Sequence, residues 1–398
     1  MLIEIIIALS IGVLFGTLTG LIPGIHINLV SVLLVSLVGS FFLEIKYVYL
    51  LVFLVSMATT HTFIDFIPSI FLGCPDTDTG LSVLPGHQLL KKGLGFQAVV
   101  LTAYGSLASL IILIILLIPS IIFLPKIYPF IEKILPYLLI LVSIILISLE
   151  KQKTKASGVF LLTGFLGLIV LNLPENTLSQ PLFPLLTGLF GSSMLITSIK
   201  NKTQITEQKT ERPKPKLLKP LIGATIACPL CGFLPGLGSA QAAIIGNTFV
   251  KTDKKGFLIL LGATNTLVMG VSFLSVYALS KTRTGIALSI KEIFGTIGIE
   301  HLILIIFIMI LSGIISFFLT IKIAKIFSKQ LFKINYTLLS SITLLILCTF
   351  VLIFTGFFGF FILTLSTLTG YYSISLGVRR SNMMGCLLVP TILFYLFI

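Results

Sequence analysis

The sequence predicts an all-α polytopic membrane protein. It reads as two inverted-topology repeats, each with a re-entrant helical hairpin plus about five transmembrane helices. Three observations lead there. Of 398 residues, 56% are hydrophobic and only 10% charged, with a mean hydropathy of +1.15, whereas soluble domains carry roughly a quarter charged residues. Apolar runs of about 20 residues, the length that crosses a bilayer, recur from end to end. The same interruption, glycine then Pro-Gly three residues on, occurs once in GLIPGIHINL (20–29) and again in GFLPGLGSAQ (232–241). Strands of a transmembrane barrel would alternate rather than run apolar, so a barrel is excluded.

Taken in order, apolar segments fall at 1–19, 27–43, 47–72, 96–118, 134–149, 157–173, 181–199, 219–234, 239–250, 257–279, 292–320, 336–355, 357–376 and 383–398. The first, MLIEIIIALSIGVLFG, has no basic leader region and reads as a retained membrane segment. Pro119 to Pro136 form a Pro-rich stretch expected to lie along the outer interface. Residues 200–218 are the most polar stretch and form a basic linker between an N-terminal repeat, 1–199, and a C-terminal repeat, 219–398.

The formal net charge is +14, but its placement speaks against nucleic acid. Basic residues cluster in short loops, at 151–155, 200–219, 322–333 and Arg379-Arg380. That is the positive-inside pattern and places the linker in the cytoplasm of a cell-membrane protein. Lys219 and the run 251–255 bracket the second Pro-Gly break and put both ends of that segment inside, which a hairpin satisfies. Five further crossings per half make the halves inverted. Lys126, Lys133, Lys281, Arg283 and Lys291 depart from the rule. Of the five cysteines, Cys228 and Cys231 form a CPLC without a βαβ context, so buried thiols are expected.

Broken backbone costs several kcal/mol in lipid and survives where it is packed in protein or lines a watery cavity. Proline withholds a donor, and glycine permits close approach. The freed amides at a new helix N-terminus suit a carboxylate, and freed carbonyls suit Na⁺. The two breaks, Pro23-Gly24 and Pro235-Gly236, are therefore candidate substrate or ion sites, against the plainer reading of tight turns. Polar residues follow each: His26 and Asn28 after the first, Gly238, Ser239 and Gln241 after the second. His26 is either a proton-responsive group or a packed histidine.

A second constellation comprises Thr60, Asp65, Asp76, Thr77, Asp78 and Thr79, with His61 alongside. A carboxylate at membrane depth is a functional candidate by default. Asp76 and Asp78 are either cation ligands or solvated loop acids. In the second half, Asn265 and Thr266 sit early in a long apolar segment, and Arg283 stands where the first half has Asp78; it either clamps an anion or lies at the interface. No GxSxG, HExxH or Walker loop is present. No cofactor is expected beyond a coupling Na⁺ or H⁺. A metal-dependent membrane enzyme using His61, Asp65, Asp76, Asp78 and His87, or a channel-like protein, is the alternative.

The early Pro-Gly break, its repeat in GFLPGLG, and PGHQLLKKG within LGCPDTDTGLSVLPGHQLLKKGLGFQAV resemble the large permease subunit of tripartite tricarboxylate transporters. TGLFG at 187–191 and GVRRSNMMGCLLVP at 377–390 add to the likeness. The resemblance implies an ion-gradient-driven importer of carboxylates. It implies as partners a small membrane subunit and an extracytoplasmic substrate-binding protein, and in this chain a central site built at the two breaks. His26, where the family usually keeps glycine, and Asp76 and Asp78, where it is commonly neutral, depart from that pattern and point away from citrate-like substrates. Homodimerisation is left open.

Overall fold

The computed structural model describes residues 2–22, 27, 46–73, 79–148, 150–174, 178, 181–200, 206–232, 238–282, 284–331 and 336–397. Among these, every regular element is helical, and nine helices are long and apolar enough to cross a membrane. The expectations placed on Pro23, Gly24, His26, Asn28, Asp76, Thr77, Asp78, Pro235, Gly236 and Arg283 lie outside the described residues.

The chain forms two compact units, and each draws on both sides of the basic linker. The first comprises Met1–Pro68, Phe96–Pro129 and Thr210–Ile326; the second comprises Ser69–Gly95, Phe130–Lys209 and Phe327–Ile398.

In the first unit, α1 (Leu2–Leu21) packs along α2 (Tyr47–Ile64), which turns at Asp65 into α3 (Phe66–Phe71). Pro68 explains that turn: it has no N–H for the Ile64 carbonyl, and its ring crowds the same oxygen. The unit also holds the first part of α5 (Gly95–Ser148), with α9 (Leu218–Gly232), α10 (Ser239–Val250), α11 (Lys254–Leu279), α12 (Gly285–Phe294) and most of α13 (Ile299–Leu331). In the windows that define their spans, 94% of the residues of Tyr47–Phe71 and 94% of those of Lys254–Leu279 are buried, against 22% for Leu2–Leu21. These two are the central helices, and apolar residues occupy most of their surface all round.

In the second unit, α4 (Val83–Leu90) is followed by the rest of α5, α6 (Lys153–Leu171), α7 (Leu182–Leu186) and α8 (Ser193–Lys200). A π-helical turn, Thr187–Ser192, joins α7 to α8. The unit closes with α14 (Tyr336–Ser375), a 3₁₀ turn at Arg380–Met384 and α15 (Gly385–Phe397). α14 is interrupted at Gly356, whose φ of 65° is open to glycine; the break divides the expected segments 336–355 and 357–376.

Two boundaries differ from expectation. α5 runs unbroken through Pro119, Pro125, Pro129 and Pro136, because local adjustment can re-satisfy carbonyls freed by proline in membrane helices. The segment expected at 292–320 begins instead at Ile299, after α12 ends on Gly295 (φ 67°).

Candidate functional site

Helix α2 carries four polar residues in succession, Thr59 to Thr62. Each step along a helix turns the side chain by about 100°, so consecutive residues address different neighbours. The Thr60 and Ser316 hydroxyls, the latter on α13, are 2.9 Å apart. His61 Nδ1 lies 3.0 Å from Thr19 Oγ1 of α1, and Thr62 Oγ1 lies 3.0 Å from Thr266 Oγ1 of α11. All of these side chains are buried.

Close backbone approach brings α1 this near. Gly12, Gly16 and Gly20 recur every four residues on one face. A Cβ at Gly12 would lie 2.6 Å from Phe53 O, one at Gly16 2.7 Å from Thr60 Cβ, and one at Gly20 2.8 Å from Ile64 Cβ. This small-residue stripe lets two membrane helices touch backbone to backbone. On the opposite flank, α5 and α11 meet in the same way. A Cβ at Gly262 would fall onto the Thr102 carbonyl and one at Gly105 onto the Ile259 carbonyl. Ser106 donates to Gly262 O at 3.0 Å across that seam.

Asp65 is the acid of this cluster and is 3% exposed. Its backbone N–H donates to His61 O at 3.0 Å, closing α2. Asn265 Nδ2 donates to Asp65 Oδ2 at 2.8 Å and also lies 3.3 Å from Thr62 O. The proton inventory gives the direction of the other bonds. Thr62 donates to Thr59 O at 2.8 Å, so Thr266 donates to Thr62 Oγ1. Thr19 donates to Gly16 O at 3.2 Å, which makes its oxygen the acceptor for His61 Nδ1–H. This assigns the His61 tautomer from the network and leaves Nε2 as the basic nitrogen.

The same unit holds the second break. α9 and α10 span roughly 22 and 18 Å by helical rise, each short of the hydrocarbon thickness of about 30 Å. They pack on each other where Gly223 meets Gly246; a Cβ at Gly246 would lie 2.6 Å from Gly223 O. α11 packs on both helices. At the start of α10, Gln241 Oε1 accepts from the Gly238 N–H at 2.8 Å. This is the half of a capping box that a glycine N-cap permits. Gln241 is 2% exposed, and its Nε2 has no hydrogen-bond partner among the described residues. Ser239 is buried beside it.

The structure thus brings Thr60, Asp65, Asn265 and Thr266 into one polar layer, with Gly238, Ser239 and Gln241 at the α10 N-terminus of the same unit. Thr79 lies in the second unit, its carbonyl accepting from Ser69 and Ser82 at 3.2 and 2.7 Å. Sequence reasoning did not single out Thr19, Thr62 and Ser316 as site residues; the Gly12, Gly16, Gly20 spacing is the signal that pointed to the first. Among the described residues, no three His, Cys, Asp or Glu side chains stand together to hold a metal.

Buried acid, amide and hydroxyls on the two most enclosed helices are a pattern suited to moving an ion rather than to bond cleavage. The tripartite tricarboxylate transporter TctA family matches residues 6–385. The chain belongs to that family. A TctA-family assignment also agrees with the multi-pass, helical architecture. A protein from Methanocaldococcus jannaschii described as uncharacterized is 32% identical over 400 residues, covering 98% of each chain. No solved structure matches this TctA-family chain.

Proposed function

We propose that this chain is the permease of an ion-gradient-driven importer of small organic carboxylates. The observation that carries this reading is Asp65, buried at span depth and bonded to Asn265 of the other central helix. A buried carboxylate whose partner is a neutral amide can exchange a proton, or accept Na⁺ with the Thr62 and Thr266 oxygens, without dismantling an ion pair. The short α9–α10 pair is read as a re-entrant hairpin, with Pro235-Gly236 at its tip. The α10 N-terminus, where the Gln241 amide has no partner among the described residues, would meet the substrate carboxylate. Pro23-Gly24, with His26 and Asn28, would form the matching tip of an inverted repeat, and alternating access would proceed around the two. Family membership supports partnership with a small membrane subunit and an extracytoplasmic binding protein.

The test is uptake of radiolabelled succinate and citrate into proteoliposomes holding the permease and its partner subunits, under imposed Na⁺ or proton gradients. Uptake should follow one gradient, and Asp65→Asn should uncouple it. Gly24→Leu and Gly236→Leu should abolish it. Gradient-independent uptake, or full activity in all three variants, sinks the reading.

A further inference from the structure

The second unit contains a buried cation that the site above does not use. α14 ends at Ser375, Gly377 (φ 70°) reverses the chain, and Arg379 is extended before the 3₁₀ turn. This geometry sends neighbouring arginines apart. Arg379 stays largely exposed with Nε 3.6 Å from Glu150 Oε1. Arg380 turns inward and is 8% exposed.

No carboxylate meets Arg380 among the described residues. Glu150 Oε1 is taken by Arg379 and by Asn382 Nδ2, the latter at 3.0 Å. Arg380 Nη2 rests on Met194 Sδ, at the start of α8 just after the π-helical turn. Nη1 is buried without a hydrogen-bond partner among the described residues. A guanidinium carries five donors in a rigid fork shaped for a carboxylate, and a thioether is a weak acceptor. Burying such a charge costs several kcal/mol unless an anion meets it. A fold that holds the charge inward, while spending Glu150 on its neighbour, keeps a receptor ready.

We infer that Arg380 receives a carboxylate group of the transported organic acid, one oxygen on Nη1 and the other displacing Met194 Sδ from Nη2. This rests on the carboxylate reading above but not on its coupling mechanism. Met194 suits the role of placeholder: its side chain is flexible and polarizable, so it leaves at little cost. Bidentate contact also gives the orientation that a bare helix N-terminus lacks.

The test is thermal unfolding of the full-length protein in detergent, without any gradient. The chain has no tryptophan, so unfolding is followed by a thiol-reactive dye on the buried Cys228 and Cys386. Sodium succinate and citrate are compared with sodium chloride at matched Na⁺ and ionic strength. The wild type should gain a few degrees at saturating carboxylate. Arg380→Met should lose that gain while its ligand-free unfolding temperature stays equal or rises, since an unpaired buried charge has been replaced by an apolar chain. Met194→Leu should retain the gain. A structural arginine would behave oppositely, so a ligand-free Arg380→Met that unfolds earlier or fails to fold overturns the inference. So does an unchanged carboxylate shift in Arg380→Met, or no shift in the wild type. Stabilisation by phosphatidylglycerol or inorganic phosphate alone would mark a phosphate site and overturn it as well. Gradient-driven uptake with carboxylate binding indifferent to Arg380 would refute this inference and leave the proposed function standing.

Discussion

Replacing Asn265 by leucine removes an amide of nearly the same volume from between Asp65 and Thr62. The change leaves packing largely intact and isolates one polar contact, Nδ2 to Asp65 Oδ2 at 2.8 Å. In water-soluble proteins a hydrogen bond to a charged group is worth about 1.5–3 kcal/mol. Between membrane helices, measured couplings average about 0.6 kcal/mol and reach about 1.7, because the unfolded chain in the membrane finds other partners. The second scale applies here, with an ionised acceptor at its upper end. A double-mutant cycle of Asn265→Leu and Asp65→Ala should therefore give a coupling of about 1.5 kcal/mol where Asp65 is ionised and about 0.6 where it is protonated. The assay is equilibrium unfolding in bicelles at pH 5 and pH 8. Coupling below about 0.3 kcal/mol at both values, within the scatter of independent sites, would refute the view that the pair is one functional unit. Equal, large coupling at both would refute proton exchange at Asp65 over that range.

Other outcomes follow from the same geometry. Gly262→Ala places a Cβ on the Thr102 carbonyl and should cost about 2–3 kcal/mol as overpacking. Gly158→Ala, which meets nothing within 4 Å, should stabilise its helix by roughly 0.5–1 kcal/mol; thermal scans of the two variants should move in opposite directions. Gln241→Leu removes the cap on the Gly238 N–H and should cost about 1 kcal/mol. Gln241→Glu should keep the cap yet lower carboxylate uptake through like-charge repulsion. His87, in α4 and outside the candidate spans, is held down to about 3 by burial, then by Arg380 and Lys91. The unfolded chain takes up that proton near pH 6.5 and the folded one does not. Stability should therefore fall as pH drops from about 6.5 toward 3, by up to 1.4 kcal/mol per unit. His87→Leu should flatten that limb of a denaturation-versus-pH curve.

Local punctuation was legible. The residues around the second break set the bounds of α9 and α10 within two positions, and Gly356 separated two apolar runs because a turn there needs positive φ. Asp65 and Asn265 stood out because polar groups in apolar segments need a reason. Their pairing did not, since it joins residues 200 positions apart and depends on glycine seams that set helix against helix. Gly12 and Gly16 looked like ordinary apolar filler until their spacing met α2. The four prolines of α5 suggested an interruption because the rule for helix breaking comes from water-exposed helices. Arg379-Arg380 read as one basic pair; only the register of the turn after Gly377 separated an exposed arginine from a buried one.

The π-helical turn at Thr187–Ser192 gives this arrangement an unusual vulnerability. A π turn is one residue too many for its helix, held in place by the tertiary surroundings. Deleting a single residue there would let the α-helix close without loss of winding, yet rotate everything after it by about 100° relative to Leu182–Leu186. The helix would survive and its phase would not: Met194 would face away from the guanidinium it now covers. Short deletions in this segment should therefore yield proteins that fold and insert but have exchanged one lining of the second unit for another. The turn is in that sense a setting, adjustable in steps of one residue.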